Sequence, residues 1–291
     1  MDRILFGDNQ FFGVNHMSEV RARKQSIRFK RTDAIIDVLD YVYDIGLRTF
    51  MCTTHDRIAE VCDHFRVHAD RYEGFQMYPC LPYGHKYNNA VAELGVLGAI
   101  RAAVPGSVVG SIARGGVALA RRSYVSMMKL LVDAELKMFD GIQTGVIFLQ
   151  NVTTDLLLGL GMTDFFVAFA DYVTERYKAE PGFITMNFPA LLPVLEECGR
   201  KKPVICTSFN EAGFRMPGGP TLYEATAAEG RCRLIAMQAL AAGAIRPEDA
   251  MQYVCRQRGI ASILYGASTR AHIRETKDLI DRLSQPSDAR V

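Results

Sequence analysis

Residues 33–53 read DAIIDVLDYVYDIGLRTFMCT, and the two halves of this stretch follow different periods. In Asp33–Ile45 the apolar Ile35, Ile36, Leu39, Val42 and Tyr43 fall at i, i+1, i+4, i+7 and i+8, one face of an amphipathic helix. Gly46 stands where such a helix needs a stop. Leu47–Thr53 then runs as a mostly apolar block without alternation, the pattern of a parallel strand buried on both faces. A helix followed by a doubly buried strand is half of a repeating βα rhythm.

The rhythm continues in both directions. Strand-like blocks recur at Arg3–Gly7, Gly74–Leu81, Ser107–Ile112, Thr144–Gln150, Gly182–Phe188, Pro203–Phe209 and Ala261–Gly266, which with Leu47–Thr53 makes eight. Helical spacing separates most of them: Ile58–Val67, Thr163–Tyr177 with Thr163 as N-cap, a short helix from Pro189 closed by Gly199, Glu248–Arg256 after Pro247, and His272–Leu283. Alternating βα units force parallel strands joined by right-handed crossovers. The expected fold is α/β, a single (β/α)8 TIM barrel over residues 1–283 with a frayed tail at 284–291; a doubly wound open sheet is the alternative. Two connections are long, the first from Asp8 to Thr32 and the second after the seventh block, from Asn210 to Glu229. The first is basic, with Arg21, Arg23, Lys24, Arg28, Lys30 and Arg31 against Glu19.

Composition narrows the class. The chain has 291 residues, a common length for one such barrel. It is 49% hydrophobic with a net charge of +2, which excludes a disordered chain and gives no support to a general nucleic-acid binder. No apolar run approaches the ~18 residues of a membrane span. Met1 is followed by Asp2 and Arg3 rather than by a leader-like sequence. The seven cysteines are odd in number and form no CxxC pair, so a reduced, cytoplasmic protein is expected. The expected partner is a small anionic or carbonyl compound, with neither nucleic acid nor membrane involved; nothing in the sequence specifies an oligomeric state.

Polar residues just after barrel strands point into the site. The first block is followed by Asp8, Asn9, Gln10 and His16, and the second by Thr53, Thr54, His55, Asp56 and Arg57. The third is followed by Tyr83, His85 and Lys86; the fourth offers Ser111 and Arg114. Gln150, Asn187, Ser208 and Asn210 end later blocks. Amides hold oxygens but supply no proton at neutral pH. Acid–base chemistry therefore falls to Asp8, His55, Asp56 and His85, with Tyr83 as a further donor, while Asn9, His16, Gln150, Asn187 and Asn210 are candidates to bind substrate. His16, His55 and His85 follow the first three strands, but there is no HxH at a strand end and no carboxylate-rich set from later strands, so no metal is assigned. His64 and His68, at i and i+4, lie at the far end of their helix and read as a solvated helix end.

After the last block comes Gly266-Ala267-Ser268-Thr269-Arg270, then a helix bearing Arg274 and Glu275. Small residues at a helix N-terminus with two arginines on one face suit an anion. Here the sequence resembles the aldo-keto reductases. IASILYGASTRAHIRETKDL (260–279) is similar to that family's closing strand and helix, AIIDVLDYVYDIGLRTF (34–50) to its first helix and second strand, and PVICTSFNEAGFRMPGG (203–219) to its strand-seven loop. The resemblance implies NADP as cofactor. It assigns Ser268, Thr269, Arg270, Arg274 and Glu275 to the adenosine end, and Ser208 and Gly213 to the pyrophosphate.

The family's Asp, Tyr, Lys and His tetrad is not matched. Met51 follows Phe50 where the Asp belongs, no Tyr occurs in Cys52–Arg57, MYPCLPYG (77–84) lacks the Lys, and GSIARGG (110–116) lacks the His. Three readings follow. The first is an oxidoreductase of this type with altered chemistry, acting on a small polar carbonyl or sugar-like compound. The second is a cofactor-free or metal-assisted lyase, isomerase or hydrolase on a phosphorylated substrate. The third is a non-catalytic anion-binding barrel.

Overall fold

The computed structural model describes residues 1–13, 19–83 and 117–284. Eight strands, β1 (Ile4–Gly7), β2 (Thr49–Thr53), β3 (Gln76–Leu81), β4 (Val146–Leu149), β5 (Glu180–Thr185), β6 (Val204–Ser208), β7 (Arg233–Met237) and β8 (Ile260–Tyr265), pair in sequence order into a closed barrel. Every pairing is parallel, and β8 returns to β1 with Leu264 opposite Leu5. The TIM-barrel expectation therefore holds, with one strand reassigned. The block Ser107–Ile112 lies outside the described residues, as do His16, His85, Lys86, Ser111 and Arg114; the barrel closes instead by inserting Arg233–Met237 between β6 and β8. Pro203–Phe209 is consequently the sixth strand. The long connection from Asn210 follows β6 and not a seventh strand, because β7 takes up the pairing edge that this connection leaves.

The helices among the described residues are α1 (Glu19–Arg28), α2 (Thr32–Asp44), α3 (Asp56–Val67), α4 (Val117–Leu136), α5 (Asn151–Gly159), α6 (Asp164–Tyr172), α7 (Phe188–Glu197), α8 (Pro220–Ala228), α9 (Pro247–Arg256) and α10 (Arg270–Ser284). Both long connections thus contain helix: α1 carries Arg21, Arg23, Lys24 and Arg28 of the basic stretch after β1, and α8 occupies the second half of the connection after β6. Helix α10 runs to Ser284, one residue into the expected tail. The stop of α2 follows the expectation. The Gly46 N–H donates to the Tyr43 carbonyl and the Leu47 N–H to that of Val42, the two bonds of a Schellman turn, and Gly46 takes the φ of +92° that the turn requires. No helix of the described residues is long and apolar enough to cross a membrane.

Strand residues divide by face. Leu5, Met51, Tyr78, Cys80, Val146, Phe148, Ile184, Val204, Cys206 and Ile235 fill the inside of the barrel. A larger cluster lies between the strands and the helices, including Phe50, Phe183, Ile205, Leu234 and Ile263 from the sheet and Ile35, Leu39, Val61, Leu191, Met251 and Ile273 from the helices. Burial on both faces explains the unbroken apolar blocks. Polar contacts close the N-terminal end: Thr49 Oγ1 donates to Asp2 at 2.6 Å, Gln76 donates to Thr49 at 3.2 Å, and Arg233 pairs with Glu180. The opposite end is left for the site.

Inside the barrel Phe148 occupies space that only a glycine at 182 leaves open, since a Cβ there would lie 2.4 Å from the ring. Gly182→Ala should overpack this layer and destabilise the fold by about 1–3 kcal/mol. The expected result is a lower urea midpoint with an unchanged m-value.

Candidate active site at the barrel rim

Asp8 is the first residue past β1 and is buried. Its Oδ2 accepts both the N–H and the hydroxyl of Thr53, each at 2.7 Å, tying the end of β1 to the end of β2. Burial pushes the Asp8 carboxyl above the ordinary value, and the two Thr53 bonds pull it partly back. Asn9 is exposed. Gln10 is buried, donates to the Gly7 carbonyl at 2.6 Å, and lays its amide against Gly266 across the β1–β8 seam.

His55 caps α3. Its Nδ1 accepts the Arg57 N–H at 3.1 Å, which assigns the proton of the neutral ring to Nε2. The imidazole stacks on Phe12, with centroids 4.1 Å apart and planes 14° apart, and the Tyr83 ring lies 5.4 Å from it at the end of β3. Arg57 lies over the other component of the stack, 5.0 Å from the Phe12 centroid, and donates to the carbonyls of Phe11 and Phe29. These contacts fasten the connection after β1 to α3. Asp56 is exposed in the first turn of α3, where negative charge meets the positive end of the helix dipole. Burial, and then the Asp8 charge, raise the Tyr83 phenol above its usual value, so it carries its proton at neutral pH.

Two carboxylates that the sequence reading missed stand behind the rim. Glu135 of α4 accepts the Thr54 hydroxyl at 2.5 Å and the Tyr83 N–H at 3.0 Å. Asp155 of α5 accepts the Thr185 hydroxyl at 2.5 Å and the Met186 N–H at 3.0 Å, and burial raises its pKa. An acidic residue on a helix ordinarily reads as a solvated face. The available hint was a strand-end threonine in each case, Thr54 and Thr185, whose hydroxyl needs an acceptor once buried.

The remaining candidates are spread around the rim. Gln150 precedes α5 and Asn187 precedes α7; both are half-buried, and neither side chain caps its helix. Ser208 is buried and donates to Gln238 at 2.6 Å, linking the ends of β6 and β7. Asn210 is buried just past the end of β6. Its amide exchanges bonds with the Phe214 backbone at 2.8 and 3.0 Å, bracing the loop in which Gly213 takes a φ of +69°. At the β8–α10 corner Thr269 accepts the His272 N–H and so caps α10, while Ser268 accepts from Gln25 of α1 at 3.1 Å. Arg270 and Arg274 are exposed on one face, both against Tyr41, and Glu275 is exposed beside them. The exposed Arg23, Lys24 and Arg28 of α1 add positive charge to the helix that carries Gln25.

His64 and His68 are 4.4 Å apart at the far end of α3, where His64 bonds Tyr72, which in turn donates to Asp40. No group of three metal-ligating side chains occurs among the described residues. The structure thus brings Asp8, His55 and Tyr83 together at the β1–β3 edge and keeps the arginine corner at β8.

The Asp8 environment yields a pH prediction. The folded chain holds this proton more tightly than the unfolded one, so ionising Asp8 costs the folded state increasing stability as pH rises above about 4. Asp8→Asn removes that cost. Its stability relative to the parent should improve as pH rises above about 4 and level off once Asp8 is ionised in the folded state as well. Urea denaturation across the range checks this; a difference that does not vary with pH would refute it.

No protein-family model and no curated protein matches the sequence. Solved structures do match. A Pseudomonas aeruginosa protein assigned as an aldo-keto reductase superposes with a TM-score of 0.60 at 13% identity, covering 97% of this chain and 90% of its own. An aldo-keto reductase from Brucella melitensis gives 0.50 at 12% identity, covering 87% of this chain and 88% of its own. At such identities the likeness is one of architecture: this chain is built on the eight-stranded parallel barrel that these aldo-keto reductases also have.

Proposed function

We propose that the chain is an NADP(H)-linked oxidoreductase of the aldo-keto reductase type, acting on a small polar carbonyl or sugar-like compound. The observation that carries this reading is the pairing of two proton-bearing side chains, His55 and Tyr83, at the adjacent ends of β2 and β3 beside the buried Asp8. The β8–α10 corner fits the phosphate of such a cofactor. Its donors are two outward guanidiniums and a helix N-terminus, and the Ser268 hydroxyl beside them is bonded by Gln25 of α1. When bound, the nicotinamide supplies or accepts the hydride.

This chain's residues do the rest. His55, protonated on Nε2, donates toward the carbonyl oxygen as negative charge develops there, and the Tyr83 hydroxyl offers a second donor. Asp8 keeps the phenol from ionising early. The rim differs from the family's tetrad in a consistent way: β2 ends in Thr53-Thr54-His55, β3 in Leu81-Pro82-Tyr83, and β4 in Leu149-Gln150. The donors therefore sit on β2 and β3, and β4 contributes an amide. One observation favours the reading with a phosphorylated substrate and no hydride: basic α1 is itself tied to the anion corner through Gln25.

The test is NADPH oxidation against a panel of small aldehydes and ketones, with cofactor binding followed by thermal shift. Turnover is expected. His55→Ala and Tyr83→Phe should each lower kcat by about 10²-fold while leaving the cofactor Kd unchanged. Replacing Arg270 and Arg274 by Ala should weaken NADPH much more than NADH. No stabilisation by either nucleotide would end this reading and leave the phosphorylated-substrate one standing.

A further inference from the structure

Thr54 and Tyr83 are neighbours of the acid–base pair in different senses. Thr54 immediately precedes His55, and Tyr83 is itself the second donor. Both are held by one side chain. Glu135, 2% exposed near the end of α4, accepts the Thr54 hydroxyl at 2.5 Å and the Tyr83 N–H at 3.0 Å through the same oxygen, Oε2, with Oε1 3.3 Å from that N–H. The bonds reach the chain one residue past the end of β2 and two past the end of β3, where the ladder between these strands has already ended at Thr53 opposite Cys80. Beyond that pair, the described hydrogen bonds joining the two chain ends pass through Glu135.

We propose that Glu135 is the positioning residue of the rim: by clamping Thr54 and Tyr83 it sets the His55–Tyr83 separation on which proton delivery depends. The proposal rests on the oxidoreductase reading above for its consequence in turnover, but its geometric content stands without it. Glu135 does not act through the charge of the phenol. The charges that move Tyr83 are Asp8, Arg57 and Asp56, and Glu135 is not among them. It acts through two hydrogen bonds from a buried side chain, one to the Thr54 hydroxyl and one to the Tyr83 N–H. Removing it frees two strand ends that carry the two donors, and displacements of an ångström at a reacting centre are enough to cost rate heavily.

An uncharged side chain that keeps the accepting oxygen should preserve the clamp, since one oxygen receives both bonds. Glu135→Gln is therefore expected to retain most function and Glu135→Ala to lose it. Thr54→Val removes one of the two bonds at smaller cost to folding and serves where Glu135→Ala does not fold. Two measurements are needed on the intact chain. The first is the proton NMR signal of the His55 ring, whose position reports the stacked Phe12 and the tilted Tyr83. The second is NADPH-dependent kcat together with cofactor Kd, well below the melting temperature.

The expected result is a moved His55 signal and a kcat lower by about tenfold or more in Glu135→Ala and Thr54→Val, with Kd unchanged. Both readouts should return in Glu135→Gln, and the Thr54 and Glu135 effects should be non-additive in the double variant. An unmoved His55 signal in folded Glu135→Ala or in Thr54→Val overturns the proposal, as does a kcat loss that tracks only the folded fraction. Absence of NADPH turnover in the parent protein would instead remove the oxidoreductase reading, and the His55 signal would still decide the clamp.

Discussion

A parallel barrel satisfies the backbone of its strands by closure, but at the C-terminal rim each chain leaves the ladder and its next donors need another partner. Here three such donors are received by carboxylates from elsewhere in the fold. Asp8 takes the Thr53 N–H, Glu135 that of Tyr83, and Asp155 that of Met186. In each case a strand-end threonine hydroxyl, from Thr53, Thr54 or Thr185, joins the same carboxylate. Burying ionisable groups is costly unless they are hydrogen-bonded, and these three are. The rim is consequently braced where its backbone donors would otherwise lack partners.

That bracing and the proposed chemistry share residues. The burial that makes Asp8 and Asp155 good brackets also raises their pKa values. Asp8 in turn adds to the burial that keeps the Tyr83 phenol protonated. The connection after β1 is drawn into the same assembly by aromatic and cationic contacts. Phe11 packs edge-on to Phe29 at 4.9 Å, and Arg57 holds the carbonyls of both while covering Phe12. His55 is thus confined by its own cap bond on one side and a stacked ring on the other. On the proposed reading, a donor confined in this way is already oriented before substrate arrives.

Much of the architecture was legible from periodicity. Asp33–Ile45 and Leu47–Thr53 became α2 and β2 because the helical stripe and the apolar block each bury in only one way. The failure at β7 is equally physical. Arg233–Met237 opens an alanine-rich run, RLIAMQALAAG, whose local preference is helical, and its strand state comes from pairing on both sides with β6 and β8. Among the candidate residues, the rim placement of Asp8, His55 and Tyr83 was legible because the positions just after a strand are the rim by construction. Asn210 shares that position, but its amide turns back on Phe214 to brace its own loop. Glu135 and Asp155 were not legible, since they reach the rim from helices, and no local pattern in a helix records which strand end lies beside it.

The order of residues along the chain was enough to show the repeating unit, the parallel sense of its strands and the end of the barrel at which polar groups collect. These follow from side-chain periodicity and from the handedness of βα connections, which act over a few turns of chain. Which eight blocks close the cylinder, which carboxylate brackets which strand end, and that His55 packs beside Tyr83 emerged only from packing in three dimensions. Those outcomes depend on contacts between residues as far apart as Thr54 and Glu135, whose pairing depends on packing and cannot be read from spacing.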